Sequence, residues 1–240
     1  MKIVCQQPHY LPWLGYFELF TQSDAFVFLD NVQWIKQGRQ HRTKILQGTQ
    51  SRWLTIPVKS AGHREKTLKD MEVDVSQPWA KAHWHSIERA YGKAPRFRDQ
   101  VEPLFRPFFE KMQKEKFLVD ICQEGLWLFW EPLGLKAELH WASDLPEVPG
   151  QNERLIGLCQ HFGAREYYSS LGSTRYLDMG KFREAGIRVL WQHFRASFPG
   201  DLLRATDVSA LDWIAHHDFS AAKAALQGPG PLFLESELSI

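Results

Sequence analysis

The chain has 240 residues with 29 Lys and Arg against 28 Asp and Glu, a formal net charge of +1. That balance argues against a protein that coats DNA, which carries a basic excess. With 44% hydrophobic residues, 16 glycines and 13 prolines, it is an ordinary globular composition, neither low-complexity nor collagen-like. Three cysteines, Cys5, Cys122 and Cys159, are widely spaced, so neither a disulfide framework nor a CxxC zinc site is written here and a reducing, cytoplasmic setting is expected. No apolar run reaches the ~18 residues of a membrane span, and the start lacks a signal-peptide core.

Residues 2–5 open with the apolar run Ile3-Val4-Cys5 and reach Gln6-Gln7-Pro8, a buried strand running into a loop. Leu14, Phe17 and Phe20 recur at helical spacing over residues 13–21, and residues 25–30 are a near-continuous apolar run. Strand, helix and strand make a βαβ unit with parallel strands, and the second ends in Asp30-Asn31. Residues 32–50 are polar and basic. Residues 52–58 read as a third strand, placed at an edge or strand end by Pro57, and residues 71–75 as a fourth. Helices are expected over 79–91, 101–114 and 116–133, the middle one fragmented by Pro103 and Pro107. From residue 135 the pattern restarts: strands over 135–141, 166–169 and 187–193 alternate with helices over 152–162 and 176–185. Gly163 and Gly186 stand where left-handed caps end helices. Two short helices follow, at 211–217 and 221–227, and the Gly-Pro-Gly-Pro of residues 228–231 starts a mobile tail.

The expected fold class is α/β: a Rossmann-like parallel or mixed sheet flanked by helices, with a helical and smaller α/β C-terminal portion. The expected organisation is an N-terminal α/β portion at 1–100 carrying the site, a helical connector at 101–134, a second α/β portion at 135–226 packed on the first, and a tail at 227–240.

Ligands of open α/β sheets bind outside the carboxyl ends of the strands, which directs attention to the loops after the first two strands. Gln7-Pro8-His9 follows the first, with Trp13, Gly15 and Tyr16 at the start of the helix. A His titrates near neutrality and suits general acid–base work, and helix-start N–H groups hold anions; the bland alternative is a rigid Pro-shaped connection. Asp30 offers a carboxylate for a hydroxyl, an amine or Mg²⁺, or else simply ends a strand. Lys36, Arg39, Arg42 and Lys44, interleaved with Trp34 and His41, form a candidate clamp for phosphate or carboxylate, with Lys36 and Arg42 foremost. His83 and His85, two apart on a helix, point to different sides and share no metal. Ser173 or Thr174 reads equally as a substrate contact or as the cap of the next helix. No metal site is expected.

The run Gln7-Pro-His-Tyr-Leu-Pro-Trp-Leu-Gly-Tyr-Phe17, then Phe26-Val-Phe-Leu-Asp-Asn-Val-Gln33, Lys36, Arg42 and Trp53-Leu-Thr-Ile-Pro-Val-Lys59, resembles the WbqC-like protein family. Further on, His83, Tyr91-Gly-Lys-Ala-Pro95, Tyr167 to Ser169 and Tyr176-Leu-Asp178 are similar to that family too. The chain departs from the family where it reads Asp30-Asn31 for a common Asp pair and Arg39-Gln-His-Arg42 for Trp-x-Asn-Arg. A fold-level likeness to nucleotidyltransferases and pantothenate synthetases stops at Trp13-Leu-Gly-Tyr16, where their phosphate-binding histidines are absent. The WbqC-like resemblance implies a transferase step on an activated small molecule in O-antigen, other surface-glycan or specialised-metabolite biosynthesis. Loop position, side-chain chemistry and the motif match together nominate His9 or Asp30 as the catalytic residues for proton transfer, with Gln7, Trp13, Tyr16, Lys36, Arg42, His83 and Ser169 binding an anionic substrate. The resemblance names no cofactor. The alternatives are a non-catalytic module for a nucleotide-sugar, glycan intermediate or RNA end, and transfer from an aminoacyl-tRNA, which wants a broader basic face than this chain's charge suggests.

Overall fold

The computed structural model describes residues 1–62, 65–192, 194 and 207–227; of the tail expected at 227–240, Gln227 ends a helix and the rest lies outside the described residues. Five strands form one parallel sheet: β1 (Lys2–Gln6), β2 (Ala25–Phe28), β5 (Glu138–Trp141), β6 (Glu166–Ser170) and β7 (Arg188–Gln192), in the order β5-β2-β1-β6-β7. In chain order that is third, second, first, fourth, fifth, a Rossmann-like winding that reverses direction beside β1. Ile3 lies opposite Ala25 and Gln6 opposite Phe28, so β1 and β2 are the parallel neighbours that their apolar runs require. Strands from both the N-terminal and the C-terminal stretches share this sheet.

Side-chain alternation splits the sheet into two buried faces. Val4, Phe26, Phe28, Tyr168 and Leu190 point into a large core with α1 (Leu14–Thr21), α4 (Leu118–Leu133) and α8 (Phe219–Gln227). Ile3, Cys5, Ala25, Val27, Tyr167, Val189 and Trp191 point the other way, against α5 (Gln151–His161) and α6 (Met179–Glu184). α2 (Trp79–Tyr91), α3 (Glu102–Met112) and α7 (Ala210–His216) extend the first core, which holds most of the aromatic rings. The left-handed glycines end helices as expected: Gly163 has φ 62° and Gly186 φ 70°. Gly134, at φ 66°, does the same for α4, its N–H reaching the carbonyls of Trp130 and Glu131.

Several expectations are corrected. Residues 42–47, read as part of a polar basic stretch, are strand β3 (Arg42–Gln47), which pairs antiparallel with β4 (Gln50–Thr55) in a separate two-stranded sheet. Thr43 and Ile45 supply the alternating buried face, and Gly48 at φ 63° turns the chain in a two-residue connection. The expected strand at 71–75 is instead two isolated bridges, Val58 to Val73 and Glu72 to Phe117, preceded by a single helical turn (Leu68–Asp70). Pro107 does not fragment α3, because Phe105, Phe108, Phe109 and Met112 bury one face of an unbroken helix while Pro103 sits in the first turn, where no donor is needed. The helix expected over 176–185 begins only at Met179. Its cap is the Asp178 carboxylate, which accepts from the N–H groups of Gly180 and Lys181, and not Ser173 or Thr174.

Candidate functional site

Because all five strands are parallel, the loops after β1, β2, β5 and β6 leave from one edge. Backbone and side-chain bonds tie three of these loops together. The Tyr10 N–H donates to the Arg39 carbonyl at 3.1 Å, and the Gln40 amide donates to the Gln7 side chain, joining the loop after β1 to the loop after β2. The Ser143 N–H, just past β5, donates to Asp30 Oδ1 at 2.9 Å. Thus Asp30, only 4% exposed, is fixed between two strand ends.

His9 packs face to face on Tyr16, ring centroids 4.7 Å apart. Tyr16 is itself locked, its hydroxyl donating to the Gln7 carbonyl at 2.8 Å. Burial, helped by the nearby Arg39 charge, lowers the His9 pKa to about 3, so the ring is neutral at physiological pH. Its Nδ1 is buried without a hydrogen-bond partner. Beside it runs a narrow crevice lined by Pro8, His9, Tyr16, Phe28, Cys122 and Trp141 among others. A neutral imidazole with an open nitrogen can take one directed hydrogen bond, in either sense according to its tautomer, but it is a weak base.

The other named residues take distinct places. Trp13 packs edge-on to Phe194 at 5.8 Å, and its ring occupies the space that a Cβ at position 15 would need, 2.1 Å away, which explains Gly15 by packing inside the protein. Lys36 is exposed in the loop after β2. The Arg42 guanidinium donates to the Gln37 carbonyl and lies over the Trp53 ring, 4.1 Å from its centroid. His83 is 6% exposed and serves the frame: its Nδ1 accepts from the Tyr10 hydroxyl at 2.9 Å and its Nε2 donates to the Thr55 carbonyl at 3.2 Å. Its pKa falls to about 4 through burial. His85, on the opposite side of α2, is exposed. Ser173 donates to the Ser170 carbonyl at 2.7 Å, so in the 2.6 Å contact between the two hydroxyls Ser169 is the donor. Gln7, His9 and Asp30 therefore share one edge with the Lys36–Arg42 loop, while His83 and Ser169 are engaged within the fold.

Sequence reasoning passed over three features. Glu18, 1% exposed in α1, accepts from the Tyr168 hydroxyl at 2.8 Å and from Gln192 Nε2 at 2.7 Å; a carboxylate inside the apolar run from Leu14 to Phe20 was the signal. Trp34, counted as part of the basic strip, is buried, 3% exposed, and the exposed aromatic there is Trp53 at 41%. Asp207 pairs with both Arg39 and Lys44, a contact across 163 residues from Lys44 that no local pattern announces.

Residues 7–224 match the WbqC-like protein family. A Mycobacterium tuberculosis protein named "Uncharacterized protein Rv1507c" is 31% identical over 190 residues, 79% of this chain and 81% of that protein. No solved structure matches the chain significantly. Among the described residues, no helix is long and apolar enough to cross a membrane.

Proposed function

The chain belongs to the WbqC-like protein family, and on that premise we propose that it is a transferase acting on an activated anionic small molecule, a nucleotide-sugar, acyl or aminoacyl donor, in surface-glycan or specialised-metabolite biosynthesis. The observation that carries the reading is the Asp30 carboxylate, held by the Ser143 N–H at 2.9 Å on the strand edge where the buried His9 Nδ1 has no hydrogen-bond partner and the Arg39 charge lies close enough to act on that ring. In this reading Asp30 takes the proton from an acceptor hydroxyl or amine as that atom attacks the activated carbon of the donor. The bond to the donor's leaving oxygen or sulfur breaks, and Lys36 and Arg42 meet the departing anion. His9, neutral, orients a polar substrate atom, while Tyr16 fixes the ring beneath it.

The test begins with thermal shift over nucleotides, nucleotide-sugars and acyl donors, since a ligand bound only by the folded state raises the midpoint. With the donor class in hand, Asp30→Asn is expected to lower kcat by about 100-fold or more, the scale of a general base, with donor affinity nearly unchanged. Arg42→Ala is expected to weaken donor binding by about 1–3 kcal/mol. The proposal fails if Asp30→Asn leaves turnover unchanged. A second reading, a non-catalytic module for a nucleotide-sugar, glycan intermediate or RNA end, draws support from the His9 pKa of about 3, which leaves that ring a poor proton acceptor. Ligand binding without turnover by the wild-type chain would establish it instead.

A further inference from the structure

The outer face of the β3–β4 hairpin carries a feature that packing within the fold leaves unexplained. The register sets Lys44 directly opposite Trp53 and Arg42 opposite Thr55, and side chains two apart on one strand share a face. Arg42, Arg39 and Lys44 therefore gather around one indole, at 4.1, 4.9 and 5.1 Å from its centroid. Trp53 nevertheless stays 41% exposed, against 3% for Trp34 and 4% for Trp79. Three cations thus share one open aromatic ring, in a chain whose whole net charge is +1.

Charge balance inside the protein is incomplete. Arg39 and Lys44 both lean on the single carboxylate of Asp207. Among the described residues Arg42 has no carboxylate partner: it donates to the Gln37 carbonyl, and its buried Nε–H finds no acceptor. Burial lowers the Arg39 pKa against the opposing pull of Asp207, and the neighbouring Arg42 charge adds to that lowering. An arrangement that repels itself and leaves a donor open is relieved by an anion. An exposed indole asks in addition for a flat partner, because ring stacking needs only a π-face.

We propose that this face is a nucleotide-diphosphate subsite, in which the base stacks on the open part of the Trp53 ring and the phosphates pair with Arg42 and Lys44. The patch lies at the rim of the candidate site, since Arg39 both approaches Trp53 and acts on His9, and its carbonyl binds the Tyr10 N–H. The inference narrows the donor of the transferase reading to a nucleotide-activated one. It rests on that reading for where the reacting end lies, but its test reads binding alone.

The experiment is isothermal calorimetry on the full chain with UDP, ADP, inorganic pyrophosphate and the single-stranded trinucleotide CCA. A diphosphate nucleoside is expected to bind at least tenfold more tightly than pyrophosphate. Trp53→Ala is expected to abolish that tenfold advantage without weakening pyrophosphate, Trp53→Phe to retain most of it, and Arg42→Gln to weaken nucleotide and pyrophosphate alike. The proposal is overturned if nucleotides bind no better than pyrophosphate, if Trp53→Ala leaves nucleotide affinity unchanged, or if the trinucleotide binds and no mononucleotide does. Trp53-dependent binding with no turnover would sink the transferase reading and sustain this one. Turnover of a donor without a nucleotide, with no nucleotide binding, would do the reverse.

Discussion

Glu18 is the most exacting place to test the energetics of this fold. It projects from α1 into the core with 1% exposure, and two neutral donors converge on it: the Tyr168 hydroxyl at 2.8 and 3.1 Å from its two oxygens, and Gln192 Nε2 at 2.7 Å. Gln192 also donates to the Gly15 carbonyl at 2.6 Å, so the amide staples β7 to α1. Burial raises the Glu18 pKa, and the two hydrogen bonds and Lys2 only partly oppose it. A carboxyl whose folded pKa is raised holds its proton in the native chain after the unfolded chain has released it. Its effect on stability therefore becomes steadily less favourable as pH rises from its unfolded value, about 4.3, through the folded one. Glu18→Gln removes that dependence while keeping the shape and an acceptor oxygen. The variant is expected to gain on the wild type as pH goes from 4 to 8.

The size of the hydrogen bond follows from the charge. Tyr168→Phe deletes a bond to an ionised acceptor, about 1.5–3 kcal/mol at pH 8. At roughly 2–4 °C per kcal/mol for a chain of this size, the melting midpoint falls by about 3–12 °C. In the Glu18→Gln background the same hydroxyl meets a neutral oxygen, and its removal costs about 0.5–1.5 kcal/mol. The double-mutant cycle should thus show a coupling near 1 kcal/mol at pH 8, read by thermal or urea unfolding followed by circular dichroism. Equal costs of Tyr168→Phe in both backgrounds, with no pH trend for Glu18→Gln, would refute the reasoning.

What was legible in the sequence was what one strand or one loop decides by itself. The uninterrupted runs Ile3-Val4-Cys5 and Ala25-Phe-Val-Phe28 can be satisfied only when both faces are covered, so parallel pairing at the centre of the sheet followed directly. His9 and Asp30 fall on the carboxyl edge because they stand within three residues of their strand ends. The β3–β4 hairpin was missed although its signals were present: Thr43 and Ile45 alternate with polar neighbours, and Gly48 supplies the turn. The basic side chains of Arg42 and Lys44 masked that alternation, because a strand with one solvated face reads as a polar stretch. Without the hairpin there was no register, and without register Trp53 could not be set opposite Lys44. The role of His83 was hidden for another reason. Its partners Tyr10 and Thr55 lie 73 and 28 residues away, and a helical His at a buried position looks the same from sequence whether it faces a ligand or a carbonyl.

Three further outcomes are expected. Cys5, Cys122 and Cys159 are buried, and burial pushes the Cys159 thiol up to about 12; in the native protein none should react with a disulfide reagent at pH 8, all three should react in denaturant, and one fast native thiol would contradict this. Gly134→Ala forces a Cβ into a left-handed position at φ 66° and against Lys223 Nζ, 2.9 Å away. Since the lysine end can swing aside, the cost should be the backbone's alone, about 1–2 kcal/mol by urea unfolding, and a neutral result would contradict the cap. The last concerns His83, whose Nδ1 must be unprotonated to accept from Tyr10 while Nε2 donates to Thr55. With a folded pKa of about 4 against an unfolded 6.5, the group contributes stability that is fully present above pH 6.5 and lost as pH falls through 4. The difference amounts to about 3 kcal/mol. His83→Gln offers an amide oxygen to Tyr10 and an amide N–H to Thr55 and has nothing to titrate. It should cost about 1–2 kcal/mol at pH 7 and become the more stable protein near pH 4.5, because the unfolded wild-type chain there gains a proton that the folded ring, engaged at both nitrogens, still excludes. Parallel stability curves for wild type and His83→Gln between pH 7 and 4.5 would show that the ring is not held neutral by this contact.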